Sequence, residues 1–211
     1  MMRSLKVAVL FCVFLSAVSQ AQFLGPRMPD SFKDRSMLHP PQGSKVAIIV
    51  FEDLGCPACA AAHPIELRAA AEYHVPLVRY DFPIPDHIWT FDGAVCAHYL
   101  QDKVDPRLAD QYRSAVFAGQ RLIGSKEDLI AFTQRWMQQH GRSLPFVLDP
   151  TGSLAKEVRA DYNTGLRLNV SQTPTIVVVT RDNYQLVCGT KDLQDPYKLV
   201  PILKAALSHT K

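Results

Sequence analysis

The sequence predicts an α/β fold carrying an inserted all-helical domain, and three observations lead there. A strand-like apolar run, Val46-Ala47-Ile48-Ile49-Val50-Phe51, leads almost directly into Cys56-Pro57-Ala58-Cys59 and a helical pattern. Helical periodicity alone then fills roughly residues 86–145. Beyond it come a further helix, an antiparallel hairpin over Thr175 to Thr180 and Tyr184 to Cys188, and a closing helix.

The elements follow in order from local chemistry. Residues 1–21 place Arg3 and Lys6 before an apolar core from Val7 to Val18 and end in Ser19-Gln20-Ala21, which reads as a secretory signal peptide. That core is shorter than the roughly 20 apolar residues of a spanning helix. Residues 22–43 carry Pro26, Pro29, Pro40 and Pro41 with little apolar periodicity, an extended lead-in. The first strand is expected at Lys45 to Glu52, and a helix from Cys56 to Tyr73 with Pro64 as a kink, because proline removes an internal hydrogen bond. Val75 to Phe82 is the second strand, bounded by Pro83 and Pro85.

In the helical block, a helix is expected over Phe91 to Gln101. Asp105-Pro106 is a cap with a first-turn proline, followed by Leu108, Tyr112 and Val116 on one face. Ser125 with Asp128 resembles a capping box, opening a helix with Leu129, Phe132 and Trp136 that stops at Gly141. These aromatic stripes read as core. Asp149-Pro150 is expected to start a helix running to Leu168, and Asp195-Pro196 one running to Ser208 with Leu199, Leu203 and Leu207 inward.

Composition narrows the function. Hydrophobic residues make up 47% and charged residues 20%, the balance of a folded globular chain. Loss of Arg3 and Lys6 with the signal takes the formal charge from +3 to +1, and no lysine or arginine run remains, which argues against nucleic acid or an anionic membrane as partner. Cys12 leaves with the signal, so Cys56, Cys59, Cys96 and Cys188 enter a disulfide-permitting compartment. Cys96 and Cys188 read equally as a structural disulfide or as two buried thiols.

The Cys56-x-x-Cys59 pair has three readings. It is a redox dithiol at a strand-to-helix turn, or, with His63, part of a metal site that would need a distant fourth ligand, or an inert buried pair. Ala60 stands where a haem-attachment motif needs histidine. The turn Glu52-Asp53-Leu54-Gly55 reads as partly exposed. His63 and His87 read as partly exposed structural histidines.

A Cys-x-x-Cys opening a helix that contains Pro64, with Gln172-Thr173-Pro174-Thr175 leading into a hairpin, resembles the thioredoxin fold. The intervening helices, and the stretch Asp81-Phe82-Pro83 through His87 to Ala94 and Ala97, make the chain similar to the DsbA-like thiol-disulfide oxidoreductases from Lys45 to Ser208. The resemblance implies a thioredoxin-like domain at residues 44–85 and 146–211, a helical insertion at 86–145, and a cis Thr173-Pro174 bond packed on the dithiol. It also implies a substrate-binding edge at Thr173, Pro174 and Thr175, a monomer without cofactor or metal, and a periplasmic or other extracytoplasmic site of action. Protein thiols and disulfides would be its substrates, and a quinone-linked membrane protein its redox partner. Thr173 before the proline is similar to the disulfide isomerases, whose separate dimerisation domain has no room in the roughly twenty residues before the first strand.

Three positions depart from the family pattern. Val50 stands six residues before Cys56, where those families carry a buried acid, so Glu52 and Asp53 become the candidates for a proton relay. Gly55 replaces an aromatic residue and Ala58 a histidine, so strong oxidising power does not carry over with the resemblance. Amides and the helix dipole at the start of the helix are expected to hold Cys56 as an exposed thiolate nucleophile, with Cys59 as the buried resolving thiol. A thioredoxin-like metal-binding or holdase module without redox turnover is the alternative.

Overall fold

The computed structural model describes Phe32, residues 36–191 and residues 194–210. The signal segment 1–21 and most of the lead-in 22–43 lie outside the described residues. Four strands form one sheet: β1 (Val46–Glu52), β2 (Leu77–Asp81), β3 (Thr175–Thr180) and β4 (Tyr184–Cys188). Their spatial order is β2-β1-β3-β4, with β1 parallel to β2 and antiparallel to β3, and β3 antiparallel to β4. Six α-helices surround the sheet: α1 (Pro57–Tyr73), α2 (Thr90–Lys103), α3 (Pro106–Gly119), α4 (Lys126–Gln139), α5 (Ser153–Leu168) and α6 (Leu199–His209).

The central strands β1 and β3 are buried at every residue, which explains their unbroken apolar runs. Alternate residues serve two cores. Val46, Ile48, Val50, Ile176 and Val178 pack with Ala62, Ala69, Leu199 and Leu203 of α1 and α6. Ala47, Ile49, Phe51, Val177 and Val179 pack with Phe82 and Leu168 on the other face. A third core, built on Leu100, Tyr112, Val116, Leu129, Trp136 and Met137, belongs to the helical block and reaches Cys56 and Cys59. The aromatic stripes are core, as expected.

Helix and strand ends differ from the sequence reading for identifiable reasons. Strand β2 begins at Leu77 because Val75 N–H closes the end of α1 on Ala70 O, after His74 turns left-handed at φ 52°. The Asp149-Pro150 signal does not start α5. Gly152 at φ 70° interrupts the chain there, the helix begins at Ser153, and Asp149 Oδ2 accepts from Ala155 N–H at 2.9 Å. Asp195 caps as expected by accepting from Tyr197 N–H at 3.0 Å, but it opens a 3₁₀ turn, Pro196–Lys198, and α6 starts at Leu199. Pro201 has no N–H for Tyr197 O, which keeps the α ladder from reaching back to Pro196. Ser125 Oγ accepts from Asp128 N–H, while the Asp128 carboxylate turns to Gly124 N–H, a half-formed capping box.

Candidate functional site

The site forms where β1 hands over to α1. Cys56 is the N-cap of α1 in an extended conformation, and Pro57 fills the first helical position, where a missing N–H costs nothing. The Thr173-Pro174 peptide is cis and lies against this helix start. The Cys56 thiol reaches Thr173 O at 3.3 Å. Cys59, one turn on, accepts a hydrogen bond from Asp53 N–H at 3.5 Å. Gln120 Nε2 donates to Leu54 O and Cys56 O, so the end of α3 clamps the turn from the helical block.

Three expectations about exposure are corrected, one of them for His63, which is buried at 4% exposure rather than partly exposed. The turn before the motif is buried, Glu52, Asp53 and Leu54 each being 1% exposed. Cys56 itself is only 7% exposed rather than facing solvent openly, because the Thr173-Pro174 loop lies on one side and the helical core on the other. A pocket of about 200 Å³ opens beside the cis-proline loop, lined by Ala58, Gln172, Thr173, Pro174, Cys188 and Pro196.

The two thiols are strongly differentiated. Cys56 is lowered to about 6, chiefly because the Cys59 thiol donates to its sulfur; Thr173 and the N–H groups of Cys59 and Ala58 add to this against burial. The expected amide contribution is thus present but second to the partner thiol. Cys59 is raised well above the usual thiol range by burial, and then by its neighbour Cys56. Its exposure is 2%.

The two acids part company. Asp53 is a structural anchor: its carboxylate accepts from Gly55 N–H at 2.6 Å, from Ile84 N–H and from His87 Nδ1 at 3.0 Å. Glu52 lies beneath the dithiol, 3.2 Å from Arg113 Nη1 and 3.8 Å from Arg79 Nε. Burial outweighs both arginines and raises its pKa. Arg113 also grips Asp81 with two bonds of 2.7 Å, and Asp81 in turn meets His98 at 3.0 Å.

His87 is tied to Asp53, and His63 is buried with Nε2 on Ser114 Oγ at 2.9 Å. Among the described residues, no group of three or more metal-ligating side chains includes Cys56 or Cys59. Cys96 and Cys188 are two free thiols in separate cores. Gly55 is required by space, since a Cβ there would lie 2.6 Å from Thr90 Cγ2.

Sequence reasoning missed Glu66, which is 1% exposed and stands with Glu52 and His63 in one buried cluster. A signal existed: Cys59, His63 and Glu66 fall at i, i+4 and i+7, one face of α1. Arg113 had no comparable signal, for it lies 61 residues from Glu52.

Comparison with known proteins agrees with this architecture. A family model described as Thioredoxin matches residues 41–185. No curated protein matches the sequence significantly. Among solved structures, a linker-deletion variant of Proteus mirabilis ScsC superposes with a TM-score of 0.60 at 17% identity, covering 81% of this chain and 73% of its own. Wolbachia pipientis alpha-DsbA1 gives a TM-score of 0.61 at 14% identity, over 82% and 92% of the two chains. A periplasmic thioredoxin-like protein from Salmonella enterica serovar Typhimurium gives 0.60 at 15%, over 80% and 88%. The order β-α-β, helices, α-β-β-α is therefore that of the DsbA-like thioredoxin fold, and the chain belongs to the thioredoxin family.

Proposed function

We propose that this protein is an extracytoplasmic thiol-disulfide oxidoreductase that exchanges disulfides with protein substrates through Cys56 and Cys59. The observation that carries the reading is the division of labour between the two sulfurs: one lowered to about 6, the other held as a buried thiol directly behind it.

In the oxidising direction a substrate thiolate attacks Cys56 of the Cys56-Cys59 disulfide. The new S–S bond joins substrate to Cys56, and the electron pair of the broken bond leaves on Cys59, which takes up a proton. A second substrate thiolate then attacks the substrate sulfur of the mixed disulfide, releasing oxidised substrate and the stabilised Cys56 thiolate. In the reducing direction Cys56 attacks a substrate disulfide, Cys59 gives up its proton and displaces the substrate thiolate, and the pair ends oxidised. Glu52, whose charge Cys59 feels, is the acid that receives that proton, whereas the Asp53 carboxylate is engaged by Gly55, Ile84 and His87.

Thr173, Pro174 and Thr175 form the edge on which an extended peptide pairs, and the pocket beside Ala58 admits its reacting side chain. The helical insertion 86–145 closes the dithiol from the far side. The chain acts as a monomer, without cofactor, in the periplasm or outside the cell, recycled by a membrane redox partner. Among the described residues no helix is long and apolar enough to cross a membrane.

Alkylation of Cys56 against pH tests the reading. An ionisation about two to three units below the ordinary thiol value of ~8.5 supports it, and an ordinary value removes the activation. Equilibration in glutathione buffers of known ratio, with the Cys56-Cys59 state read by mass, then decides between oxidase and reductase.

A further inference from the structure

Behind Cys59 the structure holds a second buried acid for which the exchange mechanism above has no use. Glu66 sits on the face of α1 that carries Cys59 and His63, and polar atoms of Glu52, His63 and Glu66 lie within 4.8 Å of one another. All three are buried. Ser114 Oγ donates to Asp110 O, so His63 must donate from Nε2 to Ser114, which leaves Nδ1 as a bare acceptor. His63 Nδ1 and Glu66 Oε2 are both buried without a partner. Neither atom bonds the other, and a carboxylate oxygen buried without a donor is costly, which favours the protonated form of Glu66.

We propose that Glu66 is a positioning residue for the resolving thiol: Glu52 and Glu66 share a single proton behind Cys59, and the summed charge of this pair governs how tightly Cys59 holds its own proton. The inference rests on the oxidoreductase reading and extends it by one residue.

The charges facing the pair support one proton over a divalent cation. Arg113 of α3 and Arg79 of β2 favour the Glu52 charge while Asp81 of β2 opposes it, Arg79 also faces Glu66, His63 is lowered to about 4 and stays uncharged, and Cys188 of β4 is a thiol raised in part by Glu66. Two carboxyls this close in a dry pocket do not both ionise at neutral pH. Glu66 is raised to about 8, first by burial and then by the Glu52 charge. Below that point one negative charge lies under Cys59. Above it there are two, and Cys59, which feels Glu52, holds its proton harder. When Cys59 does attack, its proton passes to Glu52, its sulfur bonds to Cys56, and the substrate sulfur leaves as thiolate.

The test is the Cys59 titration in a Cys56→Ser protein, followed as thiolate ultraviolet absorbance relative to the Cys56→Ser/Cys59→Ala protein, which needs no access to the thiol. Adding Glu66→Gln is expected to bring the Cys59 titration down by about one unit, a tenfold gain in thiolate at fixed pH. Glu66→Asp, which keeps the charge, is expected to leave it high. Superposition of the Glu66→Gln and parent curves overturns the proposal. Carboxyl-carbon NMR of the wild-type protein needs no variant: among its five glutamates, one is expected to keep its proton past neutral pH and to titrate near 8. All five titrating near the ordinary ~4.3 would overturn it equally. Disulfide turnover by the wild-type protein is measured alongside; its absence would sink the oxidoreductase reading and leave the carboxyl titration standing.

Discussion

Cys56 Sγ lies 3.3 Å from the carbonyl oxygen of Thr173, 117 residues away in the chain. In the proposed reaction that contact would put the nucleophile against the loop on which a substrate peptide pairs. It also covers the sulfur, with a pocket beside Ala58 and Pro174 next to it.

Replacing Cys59 by alanine should leave Cys56 able to form a mixed disulfide but unable to release it by intramolecular attack. A covalent substrate complex, visible by mass and cleared by reductant, is the expected outcome. Cys56→Ser should form no such complex, and turnover should fall to background. Cys59→Ala is also expected to raise the Cys56 titration, since the donor that lowers it most is gone.

The stability of the reduced protein should depend on pH through Cys56. A thiol lowered in the folded state favours folding where the unfolded thiol would also be ionised, and this contribution fades as pH falls through the folded value. For Cys56 it should be absent below about 6 and complete near the ordinary thiol value of ~8.5. Cys59 acts oppositely at higher pH, because the unfolded chain ionises it and the fold does not. Denaturant midpoints should therefore rise between pH 6 and 8.5 and then stop rising. In Cys56→Ser the rise should shrink by up to a few kcal/mol, at about 1.4 kcal/mol per unit.

Arg113→Met should strand two buried carboxylates, Glu52 and Asp81, which otherwise share its guanidinium. The expected loss is about 3–5 kcal/mol, read from urea unfolding. Asp81 is held well below the usual carboxylate range: its burial opposes ionisation, and Arg113 and His98 overcome it. The stability that Asp81 contributes is therefore present above the ordinary carboxylate range and lost as pH falls, so the gap between wild type and Arg113→Met should narrow in acid.

Asp53→Ala should free Gly55, Ile84 and His87 together. A loss of about 1–3 kcal/mol is expected from the unpaired N–H groups, with the thiol chemistry disturbed through the loosened turn. Gly55→Ala should cost about 1–3 kcal/mol by crowding Thr90, although the family resemblance would place a larger residue there.

Much of this molecule was legible along the chain because its information is local. The apolar runs of Val46 to Phe51 and Thr175 to Thr180, the caps at Asp105 and Ser125, and the Cys-Pro-Ala-Cys start of α1 all act within a few residues of themselves. Helix ends were less legible where a single left-handed residue such as Gly152 outvoted an Asp-Pro signal. The cysteines and Thr173-Pro174 were readable as pieces, and the resemblance brought them together.

Exposure and charge partnership were not readable in that way. Glu52 and Asp53 sit side by side in a turn that looked solvated, yet one is enclosed with Arg113 and the other anchors the loop carrying His87. Ionisation depends on what low-dielectric surface and which opposite charge reach a group, and here those partners arrive from α3, β2 and the loop after it. The chain order established two thiols with two residues between them at a helix start; the folded arrangement of distant elements assigned one of them the charge and the other the proton.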